Sequence, residues 1–170
     1  MERIVKAVFG ANGHVFGGYV RDMMCGKTPK DVDCFIPANK KDSFWASLLR
    51  FFPEGFSVVK AEEYGSCWPY TVPYMTSFQR LIVHGEKNIQ VDICGNPLFM
   101  PDFDVNMLKF DGRTISLMKD HDRYYRFSIS SVLQHIREHK AMMLSTCNDD
   151  RLQKMRDAKW EVISVDYSSV

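Results

Sequence analysis

Hydrophobic positions in this chain follow two periods, and the alternation between them predicts its elements. Ile4, Val5, Val8 and Phe9 form a short amphipathic run, closed by Gly10 and the turn signal Asn12-Gly13. His14-Val15-Phe16 reads as a brief strand, and Gly17-Gly18 opens a helix through Met24 with Gly26 as its stop. A strand over Val32 to Ile36 ends at Pro37. The next helix runs from Asp42 to Phe52, with Phe44, Leu48, Leu49 and Phe52 on its inner face. From Gly55 onward the period shortens to that of strands: Phe56 to Val59, Phe78 to Val83 and Asn88 to Ile93. The last two flank His84 to Lys87 as a hairpin, and the Gly- and Pro-bearing stretch from Glu62 to Tyr74 is a loop.

Val105 to Phe110 and Thr114 to Leu117 predict a second hairpin, with Asp111-Gly112 as a two-residue primed turn. After Lys119 the pattern is helical, with Val132, Ile136, Met142 and Met143 as core candidates. A final helix over Asp150 to Ala158 leads into a strand from Trp160 to Val165. The pattern predicts one α/β (α+β) domain over residues 1–170. A small mixed sheet flanked by helices occupies residues 14–118, and a helical C-terminal part occupies residues 119–170.

At 170 residues the chain can bury one sizeable core but not two comfortable ones. Its net charge of +1 gives no whole-molecule argument for nucleic-acid binding. Five scattered cysteines without a C-x-x-C pair predict reduced thiols, and hence a cytoplasmic protein. No stretch approaches the ~20 apolar residues of a membrane span, and residues 1–13 lack a signal-peptide run.

The chemistry concentrates in FGGYVRDMMCGKTPKDVDCFIP, Phe16 to Pro37. On a strand, Asp31 and Asp33 point to one face while Val32 and Cys34 point to the other. Like charges about 7 Å apart on one face repel unless water or a cation lies between them, and hard carboxylate oxygens suit Mg²⁺. Gly17-Gly18 at a helix start offers bare amides to a phosphate, and Lys30 lies within reach of one. Together these describe a magnesium-nucleotide site. Two ions ~3.5–4 Å apart would serve a nucleotidyl or phosphoryl transfer, with Mn²⁺ as a substitute. A third carboxylate completes such a cage. Asp92, in a strand, is the leading candidate and Asp104 its rival.

Gly17, Gly18, Val20, Arg21, Asp22, Gly26, Asp31 and Asp33 resemble the G-G-x-x-R-D…D-x-D signature of the polymerase β nucleotidyltransferase superfamily. The version is that of CCA-adding enzymes and bacterial poly(A) polymerases. PDFDVNMLKFDG is similar to that family's second motif, R-R-D-F-T-I-N-A: Asp102, Phe103, Val105 and Asn106 match, while Met100 and Pro101 stand where the family has arginines. The resemblance implies a nucleotidyltransferase fold. It also implies transfer of NMP from an NTP to an acceptor hydroxyl, an RNA 3′ end foremost. Asp31, Asp33 and Asp92 would be the metal-binding catalytic residues, and Gly17, Gly18, Arg21, Asp22, Lys30 and Asn106 would bind nucleotide. Within that pattern Arg21 braces the phosphate loop and Asp22 orders it. RLQKMRDAKWEVIS is similar to the helix-then-strand ending of compact nucleotidyltransferases of large DNA viruses and phages, which would place the protein in a host cytoplasm.

The acceptor stays open. The tRNA-holding domains of CCA-adding enzymes have no counterpart, so a protein or small-molecule acceptor, or a non-catalytic nucleotide-binding module, remains in view. A partner, such as a second copy of the chain, would help hold the acceptor. Trp68 and Tyr70 are candidate base-stacking rings, whereas Trp45 belongs to the core. Asp120 and Arg123 fit the family's D-x-x-R spacing but follow the second motif too closely. HIREH, His135 to His139, matches a zinc-peptidase pattern, yet lacks a third ligand, and a polar helix face accounts for it better.

Overall fold

The computed structural model describes residues 1–62, 78–94, 101–118, 127–144 and 147–164. The expected loop beyond Glu62, the rings of Trp68 and Tyr70, Met100, and the Asp120–Arg123 spacing lie outside them.

Helix α1 (Glu2–Gly10) buries Ile4, Val5, Ala7 and Val8, a stripe at helical spacing. Strand β1 (His14–Phe16) follows, then helix α2 (Gly18–Met24), strand β2 (Val32–Phe35) and helix α3 (Lys41–Phe51). Strand β3 (Phe56–Glu62), the hairpin β4 (Phe78–Val83) and β5 (Ile89–Cys94), and the short strands β6 (Leu108–Phe110) and β7 (Ile115–Leu117) complete one sheet. Its order is β3-β4-β5-β2-β1-β6-β7. Only β2 and β5 pair in parallel; the other neighbours are antiparallel. Val32, Cys34, Val91 and Ile93 face one contiguous buried cluster with α1 and with Phe44 and Leu48 of α3. The alternation that buries Val32 and Cys34 turns Asp33 to the opposite face. Among the described residues no helix is long and apolar enough to cross a membrane.

Helix α4 (Ile129–Glu138) and helix α5 (Asp149–Asp157) form as expected, capped by the side chains of Ser128 and Asn148. Each leads into a strand, β8 (Lys140–Met143) and β9 (Glu161–Ser164), which pair in parallel. The cluster containing Ile4 and Val8 also contains Val132, Met155 and Trp160, so this C-terminal part packs on the core of the rest.

Four expectations are corrected. Leu49 is 55% exposed, because the inner stripe of α3 runs along Phe44 and Leu48, and Leu49 lies one helical step to the side. Met142 and Met143 lie on β8 rather than a helix and are only half-buried, because α4 ends at His139 in a left-handed turn, φ 57°. Residues 105–107 are not strand: Asp104–Asn106 makes a 3-10 turn, and pairing begins at Leu108. The Asp111-Gly112 loop is likewise longer than a two-residue turn. Phe110 pairs with Ile115, and Asp111 Oδ1 accepts bonds from the Arg113 and Thr114 amides, both at 2.8 Å. That side chain takes the place of the tight backbone turn. Gly112 adopts φ +96°, and a Cβ there would stand 2.9 Å from the Phe9 ring.

His14 packs against the rings of Phe16 and Phe35, and its Nε2 is buried without a hydrogen-bond partner among the described residues. Burial, and then the like charge of Lys109, push its pKa down to about 4. The unfolded chain takes up this proton near pH 6.5 while the folded chain refuses it. His14 therefore contributes no pH penalty above 6.5, and stability falls as pH drops toward 4. Discounted for partial solvent contact, the loss is about 1–2 kcal/mol. Urea denaturation at pH 7 and pH 4.5 should show a shallower decline for His14→Phe than for the parent chain. Equal declines would refute the assignment.

Candidate active site

The parallel pairing of β2 and β5 sets Asp33 directly opposite Asp92. Burial, then the charges of Asp92 and Asp31, push the Asp33 pKa up to about 7. Asp31 precedes the strand and is exposed. On the far side of Asp92, Arg80 of β4 is its cross-strand neighbour and donates through both Nε (2.8 Å) and Nη2 (2.9 Å) to the two carboxylate oxygens. Among the described residues, no three His, Cys, Asp or Glu side chains converge closely enough to hold an ion as the site stands.

Gly17 connects β1 to α2 with φ 67° and ψ −134°, a conformation for which glycine is suited. A Cβ there would stand 3.8 Å from Asp33 Oδ2, so the diglycine bend adjoins this carboxylate. The Gly17 amide is not bare: it donates to Leu108 O at 3.0 Å, which fixes the bend to β6. No side chain caps the start of α2. Arg21 lies against Gly18, and its Nε donates to Asp22 Oδ1 (2.9 Å) while Nη1 donates to Asn106 Oδ1 (2.9 Å). Asn106 Nδ2 in turn donates to Asp102 Oδ1 (2.7 Å), and Asp102 Oδ2 accepts from Arg151 Nε of α5 (2.6 Å). One polar chain thus links the diglycine helix to the C-terminal helix. Between them lies a cleft of ≈ 530 Å³ lined by Asp31 and Asp33 and by Arg151 and Lys154.

Among solved structures, the chain is similar to the Thermotoga maritima CCA-adding enzyme complexed with tRNA, at 17% identity and a TM-score of 0.54. The match covers 99% of this chain and 39% of that one. A tRNA-processing enzyme in an apo form matches at 16% identity and a TM-score of 0.53, over 95% of this chain and 43% of its own. A CCA-adding enzyme in complex with ATP matches at 15% identity and a TM-score of 0.53, over 95% of this chain and 38% of its own. This is a nucleotidyltransferase fold. The chain spans about two fifths of the length of these enzymes. No protein-family model matches, and no curated protein is significantly similar in sequence.

Within this nucleotidyltransferase fold most of the expected site residues gather at one place. Gly18, Arg21, Asp22, Lys30, Asp31, Asp33 and Asn106 line the cleft, and Asp92 adjoins it through Asp33. Asn106 has both ends of its amide occupied, so it holds Arg21 and Asp102 in place. Asp104, the rival third carboxylate, is fully buried and turned toward α4 and β8. His135 Nδ1 meets its Oδ2 at 2.5 Å, and the Met142 amide donates to its Oδ1 at 2.8 Å. HIREH is no metal pair: His139 instead stacks on Trp160 (4.0 Å between centroids), with Nδ1 donating to Lys159 O and Nε2 accepting from Lys27.

Arg80, Arg151 and Lys154 went unassigned in the sequence reading. Arg80 had a signal, since the hairpin that joins Phe78–Val83 to Ile89–Cys94 pairs position 80 with position 92. Arg151 and Lys154 had only their place in the RLQKMRD run, which nothing local ties to Asp102, 49 positions upstream.

Proposed function

We propose that this chain is a divalent-metal-dependent nucleotidyltransferase that moves NMP from an NTP to an acceptor hydroxyl, an RNA 3′ end. The acceptor oxygen bonds to the α-phosphorus, the bond from that phosphorus to the bridging oxygen of the β-phosphate breaks, and pyrophosphate leaves. The observation that carries this reading is the register of Asp33 opposite Asp92 beside the diglycine bend, with Asp31 two residues before Asp33. A carboxylate pushed up to about 7 by burial first and then by its acidic neighbours fits a divalent cation, because hard oxygen donors in mutual repulsion are relieved by one. Asp31, Asp33 and Asp92 would hold Mg²⁺, or Mn²⁺ in its place. Bound ions would neutralise the triphosphate and acidify the attacking hydroxyl. Asp92 assists removal of the hydroxyl proton, the start of α2 receives phosphate, and Arg21, braced by Asp22 and Asn106, holds that start in place. Lys30 supplies charge at the rim.

Transfer to a protein or small molecule is the second reading. It is favoured by the absence of arginine at positions 100 and 101. Unpaired thiols at Cys25, Cys34, Cys94 and Cys147 support a cytoplasmic setting. Incubation with each α-labelled NTP and Mg²⁺, with either total RNA or RNase-treated lysate, tests both readings. Label on RNA supports the first and label on protein the second. Label on neither, from folded protein that binds NTP, leaves a binding module and rejects catalysis.

A further inference from the structure

One face of α5 lines the same cleft as Asp31 and Asp33. Arg151, Lys154, Met155 and Ala158 follow the three-four spacing that lines up residues along a helix. Burial of Met155 and Trp160 anchors this helix, and Arg21 Nη1 approaches Met155 Sδ at 3.5 Å. The helix is therefore fixed relative to the diglycine bend. Arg151 spends Nε on Asp102 and leaves its terminal nitrogens unbonded among the described residues. The Lys154 side chain makes no hydrogen bond or ion pair among them, nor does that of Lys30 at the rim.

Lys154 and the free end of Arg151 line the same cleft as carboxylates that repel one another. A ligand complementary to both groups carries several negative charges in a row: one end meets cationic side chains, and the other shares a divalent ion with the acids. We propose that α5 is a polyphosphate-binding wall on which Lys154 and Arg151 hold the terminal phosphates of the substrate, and the pyrophosphate before it leaves. This rests on the nucleotidyltransferase reading for the identity of the substrate, but the anion subsite itself does not require transfer. Arg151 is also a positioning residue, since the chain from Asp102 through Asn106 to Arg21 ties its guanidinium to the start of α2.

Calorimetric titration of the full chain with inorganic tripolyphosphate, in EDTA and then in Mg²⁺, tests the subsite directly. Lys154→Gln should weaken tripolyphosphate binding about tenfold in both conditions, the loss of one charge-assisted contact. Lys154→Arg should restore most of it. Arg113→Gln, at the exposed tip of the β6–β7 hairpin, should change nothing, and binding of unphosphorylated adenosine should be the same in all variants. Lys154→Gln with parental tripolyphosphate affinity and an unchanged melting temperature overturns the proposal, as does a parent chain that binds no tripolyphosphate. If Lys154→Gln loses the anion while the parent transfers no nucleotide, the subsite stands and the transferase reading fails. If the parent transfers nucleotide and Lys154→Gln binds and turns over normally, the reverse holds.

Discussion

Asp33→Asn is expected to abolish nucleotidyl transfer and, in EDTA at pH 8, to raise the melting temperature. The two effects have one cause. In the folded chain Asp33 carries a pKa of about 7, against about 3.9 unfolded. Between those values the folded state holds a proton that the unfolded state has released. Stability from this group is therefore full below pH 4 and is lost as pH rises through 7. The shift corresponds to at most about 4 kcal/mol, and about 2 kcal/mol is expected once solvent contact and relaxation are allowed for. Asn keeps the shape and removes the charge, so it should escape the loss, raising the melting temperature by about 4–8 °C at pH 8. Mg²⁺ should stabilise the parent more than the variant and narrow the gap. Thermal melts at pH 5 and pH 8, with and without Mg²⁺, measure this. A variant no more stable than the parent at pH 8 would mean that the acids do not strain the apo fold.

Asp104→Ala should act in the opposite direction. It removes the acceptor for both His135 Nδ1 and the Met142 amide at a fully buried position, between α4 and β8. Two donors left without their acceptor cost about 3–5 kcal/mol, enough to threaten the docking of the C-terminal part. Asp104→Asn keeps an oxygen for the Met142 amide and should lose less. Any transfer activity should survive in proportion to the folded fraction of Asp104→Asn, measured by chemical denaturation alongside the assay. A fully folded but inactive Asp104→Asn would return Asp104 to the metal site.

The contrast between these two acids shows what could be read from the chain alone. Asp33 was legible because alternation is local: Val32 and Cys34 are buried, so the residue between them faces away. Asp92 was legible as a strand residue flanked by apolar neighbours, though its place beside Asp33 depends on the parallel pairing of β2 and β5, which spans more than fifty positions. Asp104 was ambiguous because its environment is set by His135 and Met142, over thirty positions away. The same distance hid where α5 packs. The pattern predicted a helix there, but its contact with Asp102 goes with the pairing of β8 and β9 and the burial of Trp160. Turn chemistry misled at Asp111-Gly112, where the Asp side chain satisfies two amides and opens a longer loop.

A crystal grown with Mn²⁺ and a non-hydrolysable NTP analogue, read by anomalous scattering, tests the centre of this account. Manganese peaks between the carboxylates of Asp31, Asp33 and Asp92, with phosphates lying between the start of α2 and the α5 wall, are the predicted result. Analogue bound elsewhere, or bound in the cleft with no ion on Asp31 or Asp33, would contradict it.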